Sequence, residues 1–127
     1  MDSNEISSKL SYLRTQLSLK KLSVGSWIQL SDPSSISIMA ASGYDWLALD
    51  LEHGDIEERD IPVLAACAHR YVPLVFARVR TPEGKYCSRA LDLGVDGVII
   101  PKVESYKMLK SIRDQIYYPP DGFRGVG

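Results

Sequence analysis

Cysteine and net charge are both scarce in this chain, and each scarcity closes a class of function. The 127 residues hold only Cys67 and Cys87, too few for a disulfide framework and not at a metal-ligand spacing, so a reducing, cytoplasmic setting is the expectation. The net charge is −1, which leaves no basic field to hold nucleic acid or an anionic membrane surface. No apolar run approaches the roughly 20 residues of a membrane-spanning helix. The opening MDSNEISSKL carries acids and no apolar stretch, so no secretory signal is expected there.

What remains is ordinary soluble-domain composition, with 45% apolar and 24% charged residues. A first helix is expected over 3–19, striped by Ile6, Leu10, Leu13 and Leu17. Residues 1–21 are then a helix and linker ahead of a repeating strand–turn–helix pattern. SVGSWIQL (Ser23 to Leu30) reads as a strand, followed by Ser31-Asp32-Pro33 as helix cap and first turn, with Gly43 as the stop. WLALD (Trp46 to Asp50) reads as a buried strand and is followed by a helix from about Asp60 to Arg70. PLVFAR (Pro73 to Arg78) is the third strand, and its helix opens at Thr81-Pro82-Glu83 and closes at Gly94. GVIIP (Gly97 to Pro101) is the fourth, with Ser105 capping a helix that carries Leu109, Ile112 and Ile116 inward.

Strands apolar on both faces, alternating with amphipathic helices, imply a parallel sheet covered by helices. Periodicity leaves two architectures open. One is an open doubly wound sheet. The other is a (β/α)8 barrel of about 250 residues, of which four units make half.

In both, chemistry gathers at the C-terminal ends of the strands. The second strand ends in Asp50-Leu51-Glu52-His53, the third in Arg78, the fourth in Pro101-Lys102, and the first carries Trp27 and Gln29 near its end. A histidine beside a carboxylate is held in one tautomer and made a better base. A solvated turn with a capping aspartate explains an isolated D-x-x-H just as well, and the strand-end position is what favours chemistry. Arg78 is suited to grip a carboxylate and to stabilise an enolate oxygen, or to bridge Asp50 or Glu52 across the mouth. Lys102 is a candidate Schiff-base lysine only if it is desolvated, and nothing near it in sequence does that. His69 sits where a helix should end, and both cysteines read as packing residues.

Taken together, these features resemble the HpcH/HpaI aldolases. The matching residues are Gly25-Ser26-Trp27, Gly43-Tyr44-Asp45-Trp46, Asp50-x-Glu52-His53, Arg78, Leu91-Asp92-x-Gly94 and Pro101. The match closes on Tyr118-Pro119-Pro120-x-Gly122-x-Arg124-Gly125-x-Gly127. The resemblance implies the N-terminal half of a TIM-type barrel, about four of eight units, with an extra N-terminal helix. It also implies a carbon–carbon lyase that forms or cleaves 4-hydroxy-2-oxo acids from pyruvate and an aldehyde. By match, His53 is the base, paired with Asp50 and acting through water, Arg78 binds the pyruvate carboxylate or carbonyl, Trp27 lines the substrate pocket, and Asp92 lies near the mouth, a position often at a subunit contact. Asp92 and, from its strand-end position, Gln29 are counted as substrate-binding candidates, and a homo-oligomer is expected. A divalent Mg²⁺, Mn²⁺ or Co²⁺ is expected for the family, held by carboxylates from strands later than any in this chain. The chain is therefore expected to be a partial form with no metal ligands of its own and little activity alone. Two alternatives stand beside this one: an inactive half-barrel that self-associates or binds a small carboxylate, and a Schiff-base aldolase using Lys102.

Overall fold

A computed structural model describes residues 3–125, with side chains from residue 9 onward. Ile6 of the first helical stripe and Gly127 of the glycine-rich end lie outside the side chains so described. The order is α1 (Ser3–Ser18), β1 (Gly25–Ile28), α2 (Pro33–Ala40), β2 (Trp46–Asp50), a 3-10 turn (Glu58–Asp60), α3 (Ile61–Ala68), β3 (Leu74–Arg78), α4 (Gly84–Asp92), β4 (Gly97–Ile99) and α5 (Tyr106–Ile116). β2 spans the expected Trp46–Asp50, while β1, β3 and β4 are shorter than their apolar runs because strand pairing ends before those runs do.

Local chemistry explains the boundaries. Asp32 caps α2 by accepting from the Ser35 N–H at 2.7 Å, with Pro33 in the first turn. Ser105 caps α5 by accepting from the Met108 N–H at 3.2 Å. Gly43 (φ 88°) and Gly94 (φ 105°) follow the ends of α2 and α4 in the left-handed region that glycine enters without a Cβ penalty. Each is followed two residues later by an aspartate with the same task. Asp45 donates its N–H to the Val24 carbonyl and accepts the Val24 N–H at 2.7 Å. Asp96 donates to the Val75 carbonyl and accepts the Val75 N–H at 2.7 Å. This repeated Gly-x-Asp clamp ties the start of β2 to β1 and of β4 to β3.

All four strands are parallel and lie in chain order, β1-β2-β3-β4. That order decides between the two architectures. A doubly wound sheet reverses its strand order and has helices on both faces, whereas here the strands advance in chain order and helices α2 to α5 collect on one face. The shared core joins Ile28, Leu47, Leu49, Val75 and Ala77 of the sheet to Ile36, Ile61, Leu64, Cys87 and Ile112 of the helices. Leu109 is 43% exposed and lies outside this core, unlike its helical neighbour Ile112.

Helices α2 to α5 leave the opposite face free, and α1 meets it at the strand-start end. By register it carries Gly25, Trp46 and Leu74 in one row, Trp27, Ala48, Phe76 and Gly97 in the next, and Asp50, Arg78 and Ile99 at the strand ends. Trp46 and Phe76 meet edge to face, with centroids 6.0 Å apart. Helix α1 lies across the starts of the strands: its Tyr12, Leu13 and Gln16 line a small cleft with Ser23, Asp45 and Leu74.

Gly25 is where the sheet face accommodates the Trp46 ring, because a Cβ there would lie 2.0 Å from a ring carbon. Gly25→Ala should therefore displace Trp46 and cost about 1–3 kcal/mol of stability. Urea unfolding followed by tryptophan fluorescence checks this, and an unchanged midpoint would contradict it.

Candidate functional site

The strand ends gather one polar cluster, and the loop after β2 builds it. Leu51 continues the ladder by donating its N–H to the Arg78 carbonyl at 3.0 Å. The chain then turns back, with Gly54 N–H donating to the Asp50 carbonyl and Asp55 N–H to the Gln29 carbonyl. A Cβ at Gly54 would come within 2.5 Å of the Asp50 carbonyl and 2.8 Å of the Gln29 carbonyl. Only glycine lets the loop pass this close to the end of β1. The sequence reading gave Gly54 no role, although a glycine directly after D-x-E-H was the available signal.

Asp50 is the centre of the cluster, fully buried and surrounded by donors. Its Oδ1 accepts from Arg78 Nε at 2.9 Å and from the backbone N–H groups of Glu52 and His53, each at 3.1 Å. Its Oδ2 accepts from Arg78 Nη2 at 2.5 Å and from Gln29 Nε2 at 3.1 Å. Burial pushes its pKa up, but the hydrogen bonds from Arg78, Gln29 and His53 outweigh that and hold the carboxyl well below the usual carboxylate range. The same contact raises Arg78 above its ordinary value. Trp27 completes the arrangement, its ring lying 4.4 Å from the Arg78 guanidinium carbon.

Glu52 is a second hub, with its side chain only 9% exposed. Its Oε1 pairs with Lys102 Nζ at 3.1 Å, and its Oε2 lies 3.5 Å from Arg78 Nε and 3.7 Å from His53 Nε2. Asp50 thus reaches His53 at the backbone, while the imidazole, 63% exposed, faces Glu52. Lys102 adopts a left-handed backbone (φ 53°) just past β4 and is 70% exposed. Two carboxylates and two cations leave this rim balanced in charge.

Trp27, Gln29, Asp50, His53 and Arg78 are therefore brought together. Asp92 is not among them. It ends α4, and a helix that leaves a strand's C-terminal end finishes at the strand-start end of the sheet. There Arg124 grips Asp92 Oδ1 through Nη2 and, at 3.2 Å, through Nε, with its guanidinium over the Tyr118 ring. His69 caps α3 at that same end, 3.6 Å from the buried Asp96. Cys87 is buried, and burial pushes its thiol up to about 11, far from a thiolate. A cleft of about 440 Å³ runs between the 3-10 turn and α4 past Glu58, Arg80 and Tyr86. It shares no residue with the polar cluster.

The rim does not suit a divalent cation. Both Asp50 oxygens and both Glu52 oxygens already face cations or N–H donors, and the described residues hold no group of three or more potential ligands.

Replacing Asp50 with Asn removes the charge that Arg78 is built around, and should cost on the order of 3 kcal/mol near neutral pH. A carboxyl depressed in the folded state stabilises fully above its unfolded pKa of ~3.9 and loses that contribution as pH falls toward its folded value. The gap between wild type and Asp50→Asn should thus narrow below about pH 4. Denaturant melts across pH check this, and a gap that widens in acid would contradict it.

With the geometry in place, comparison with known proteins is informative. The family model of the HpcH/HpaI aldolase/citrate lyase domain matches residues 23–127. A 5-keto-4-deoxy-D-glucarate aldolase of Enterobacter sp. (strain 638) is 35% identical over 115 residues, covering 89% of this chain and 44% of the relative. A crystal structure of an HpcH/HpaI aldolase from Desulfitobacterium hafniense DCB-2 superposes with TM-score 0.78 at 33% identity, over 91% of this chain and 45% of that one. An HpcH/HpaI aldolase/citrate lyase family protein from Burkholderia cenocepacia J2315 gives 0.75 at 30% identity, over 81% and 42%. The chain spans less than half the length of these barrel-type relatives. Residues 23–127 place this chain in the HpcH/HpaI aldolase/citrate lyase family.

Proposed function

We propose that this chain supplies the anion-gripping and proton-transferring half of a pyruvate aldolase site. The observation that carries the reading is the buried Asp50–Arg78 pair at adjacent strand ends, stacked against Trp27. Asp50 engages Arg78 through Nε and Nη2, which leaves Nη1 to meet the carboxylate or carbonyl of a 2-oxo acid. The stacked ring and the buried acid fix the plane of the guanidinium before substrate arrives, so little reorganisation accompanies binding.

His53 is the exposed group of the cluster and the base in this reading, with Glu52 within reach of its Nε2. Asp50, saturated by five donors, is a positioning residue: it holds Arg78, Gln29 and the His53 backbone in one frame. Gln29 and Trp27 form the adjoining wall of the substrate pocket. Asp92 enters this reading as a residue at a contact between subunits. The divalent metal associated with the resemblance would polarise the enolate oxygen. No group in this rim fits it, so its ligands belong to whatever completes the mouth. Dicarboxylic, sugar-acid and simple aldehydes all remain within the substrate class.

A Schiff base at Lys102 has no support in the geometry. The amine is solvent-exposed and paired with Glu52, the reverse of the desolvated setting such a lysine needs. The described residues include no helix long and apolar enough to cross a membrane. The two free cysteines favour a cytoplasmic setting in this reading.

Oxalate, a planar mimic of the pyruvate enolate, probes the anion grip directly. Calorimetry should show binding to the wild type, weakened about tenfold or more by Arg78→Lys, which keeps the charge and loses the fork. Equal affinity in the two proteins would overturn the reading. With added Mn²⁺, the 127-residue chain should release little pyruvate from a 4-hydroxy-2-oxo acid. Robust turnover would show that the rim described here is already sufficient.

A further inference from the structure

The cleft between the 3-10 turn and α4 lies directly behind the polar cluster. Side chains alternate across a strand, so Asp50 and Arg78 point to one side while Leu51 and Val79, the next residues along, join the helix-side core. Leu51, Val79 and Ala90 floor the cleft, each at most 4% exposed. Tyr86 of α4 stands along one wall and the turn bearing Glu58 along the other. All its lining residues fall within 51–90. Because α3 packs on α2 and α4 on α5, the cleft sits inside the β/α layer and away from both edge strands. Its volume, about 440 Å³, is that of a small-molecule site.

Its charged groups are unevenly matched. Arg59 is held by Glu57 at 3.3 Å and by Asp60 at 3.9 Å. Arg80 meets no carboxylate among the described residues. Its Nη2 donates to the Ile56 carbonyl at 3.3 Å, which anchors the guanidinium beside the turn and leaves other donors of the fork for an incoming carboxylate. Glu58 has the complementary shortfall: among the described residues its cation is Arg89, with Nε 4.0 Å from Oε2. Either side chain alone is an ordinary solvated surface charge. An unmatched cation and a loosely matched anion lining one apolar-floored cleft make a recognition pattern.

Ligand chemistry follows from that pattern. A carboxylate suits Arg80, an ammonium suits Glu58, and an apolar body suits the floor and the Tyr86 ring. An anion without a positive group meets Glu57 and Glu58 unfavourably, and a cation without a negative group meets Arg59 and Arg80 in the same way. We propose that this cleft binds a small zwitterion with an apolar body, an α-amino acid of the leucine or phenylalanine kind. The site shares no residue with the polar cluster and does not depend on the aldolase reading.

Amide chemical-shift titration of the 127-residue chain with L-leucine and L-phenylalanine tests it. Amides of Leu51, Glu58, Arg80 and Tyr86 should shift saturably, while those of Tyr12 and Leu13 in the α1 cleft stay in place. Hydrocinnamate lacks the ammonium and phenethylamine lacks the carboxylate, and each should bind the wild type about tenfold or more weakly than phenylalanine. Arg80→Gln should weaken phenylalanine by about tenfold and leave phenethylamine unchanged. Glu58→Gln should weaken phenylalanine and leave hydrocinnamate unchanged. Circular dichroism checks the fold of both variants, and the analogue comparison on the wild type stands without either. Three results would overturn the proposal: no saturable shift with either amino acid, an analogue of one charge binding as tightly as phenylalanine, or a folded Arg80→Gln protein with wild-type affinity.

Discussion

The contact between Asp50 and Arg78 organises the rim of this molecule. A buried carboxylate is costly unless donors surround it. Here a guanidinium from the neighbouring strand, a side-chain amide from the strand on the other side and two backbone N–H groups do so. Each donor is thereby fixed. Arg78 is held over the Trp27 ring, Gln29 is held at the end of β1, and the loop bearing Glu52 and His53 is drawn down onto the sheet. The proposed binding surface and the local stability of the rim rest on the same set of bonds.

The two faces of the sheet have divided roles. One is sealed by α2 to α5 and holds the conventional aliphatic core. The other carries aromatic rings, then a polar crown at the strand ends. Stability of the β/α layer and chemistry at the crown therefore meet only through the strands themselves. The Gly-x-Asp clamps at Asp45 and Asp96 fasten the strand starts, at the end opposite the crown. Fixing the starts fixes the register, and the register sets Asp50 beside Arg78.

Much of this was legible in the residues. Glycine stops, the Asp32-Pro33 cap and apolar strand runs marked the repeating units, since those signals act over a few residues. Strand-end placement picked out Asp50, His53, Arg78, Trp27 and Gln29 because in a parallel sheet side chains at the C-terminal ends converge. Other features were not legible. The repeated aspartate clamp acts between segments about twenty residues apart, and an aspartate looks the same in sequence whether it clamps a strand or faces water. Glu52 had no role assigned beyond its place in the cluster, because its near-complete burial and its contacts to Lys102, Arg78 and His53 arise only when three strands lie side by side.

The sequence by itself determined the alternation of strands and helices, the elements' approximate limits, the cluster of candidate residues and, through its motifs, the family. Those are properties of local spacing and residue type. The hydrophobic pattern is shared by a barrel-type and a doubly wound sheet; the family motifs implied the barrel, and the strand order seen in the tertiary structure agrees with it. Tertiary structure alone decided that His53 faces Glu52 while Asp50 takes Arg78, and that Asp92 lies at the far end with Arg124. Partners of a charged side chain depend on which strands become neighbours and in what register, and that information resides in the packed chain as a whole.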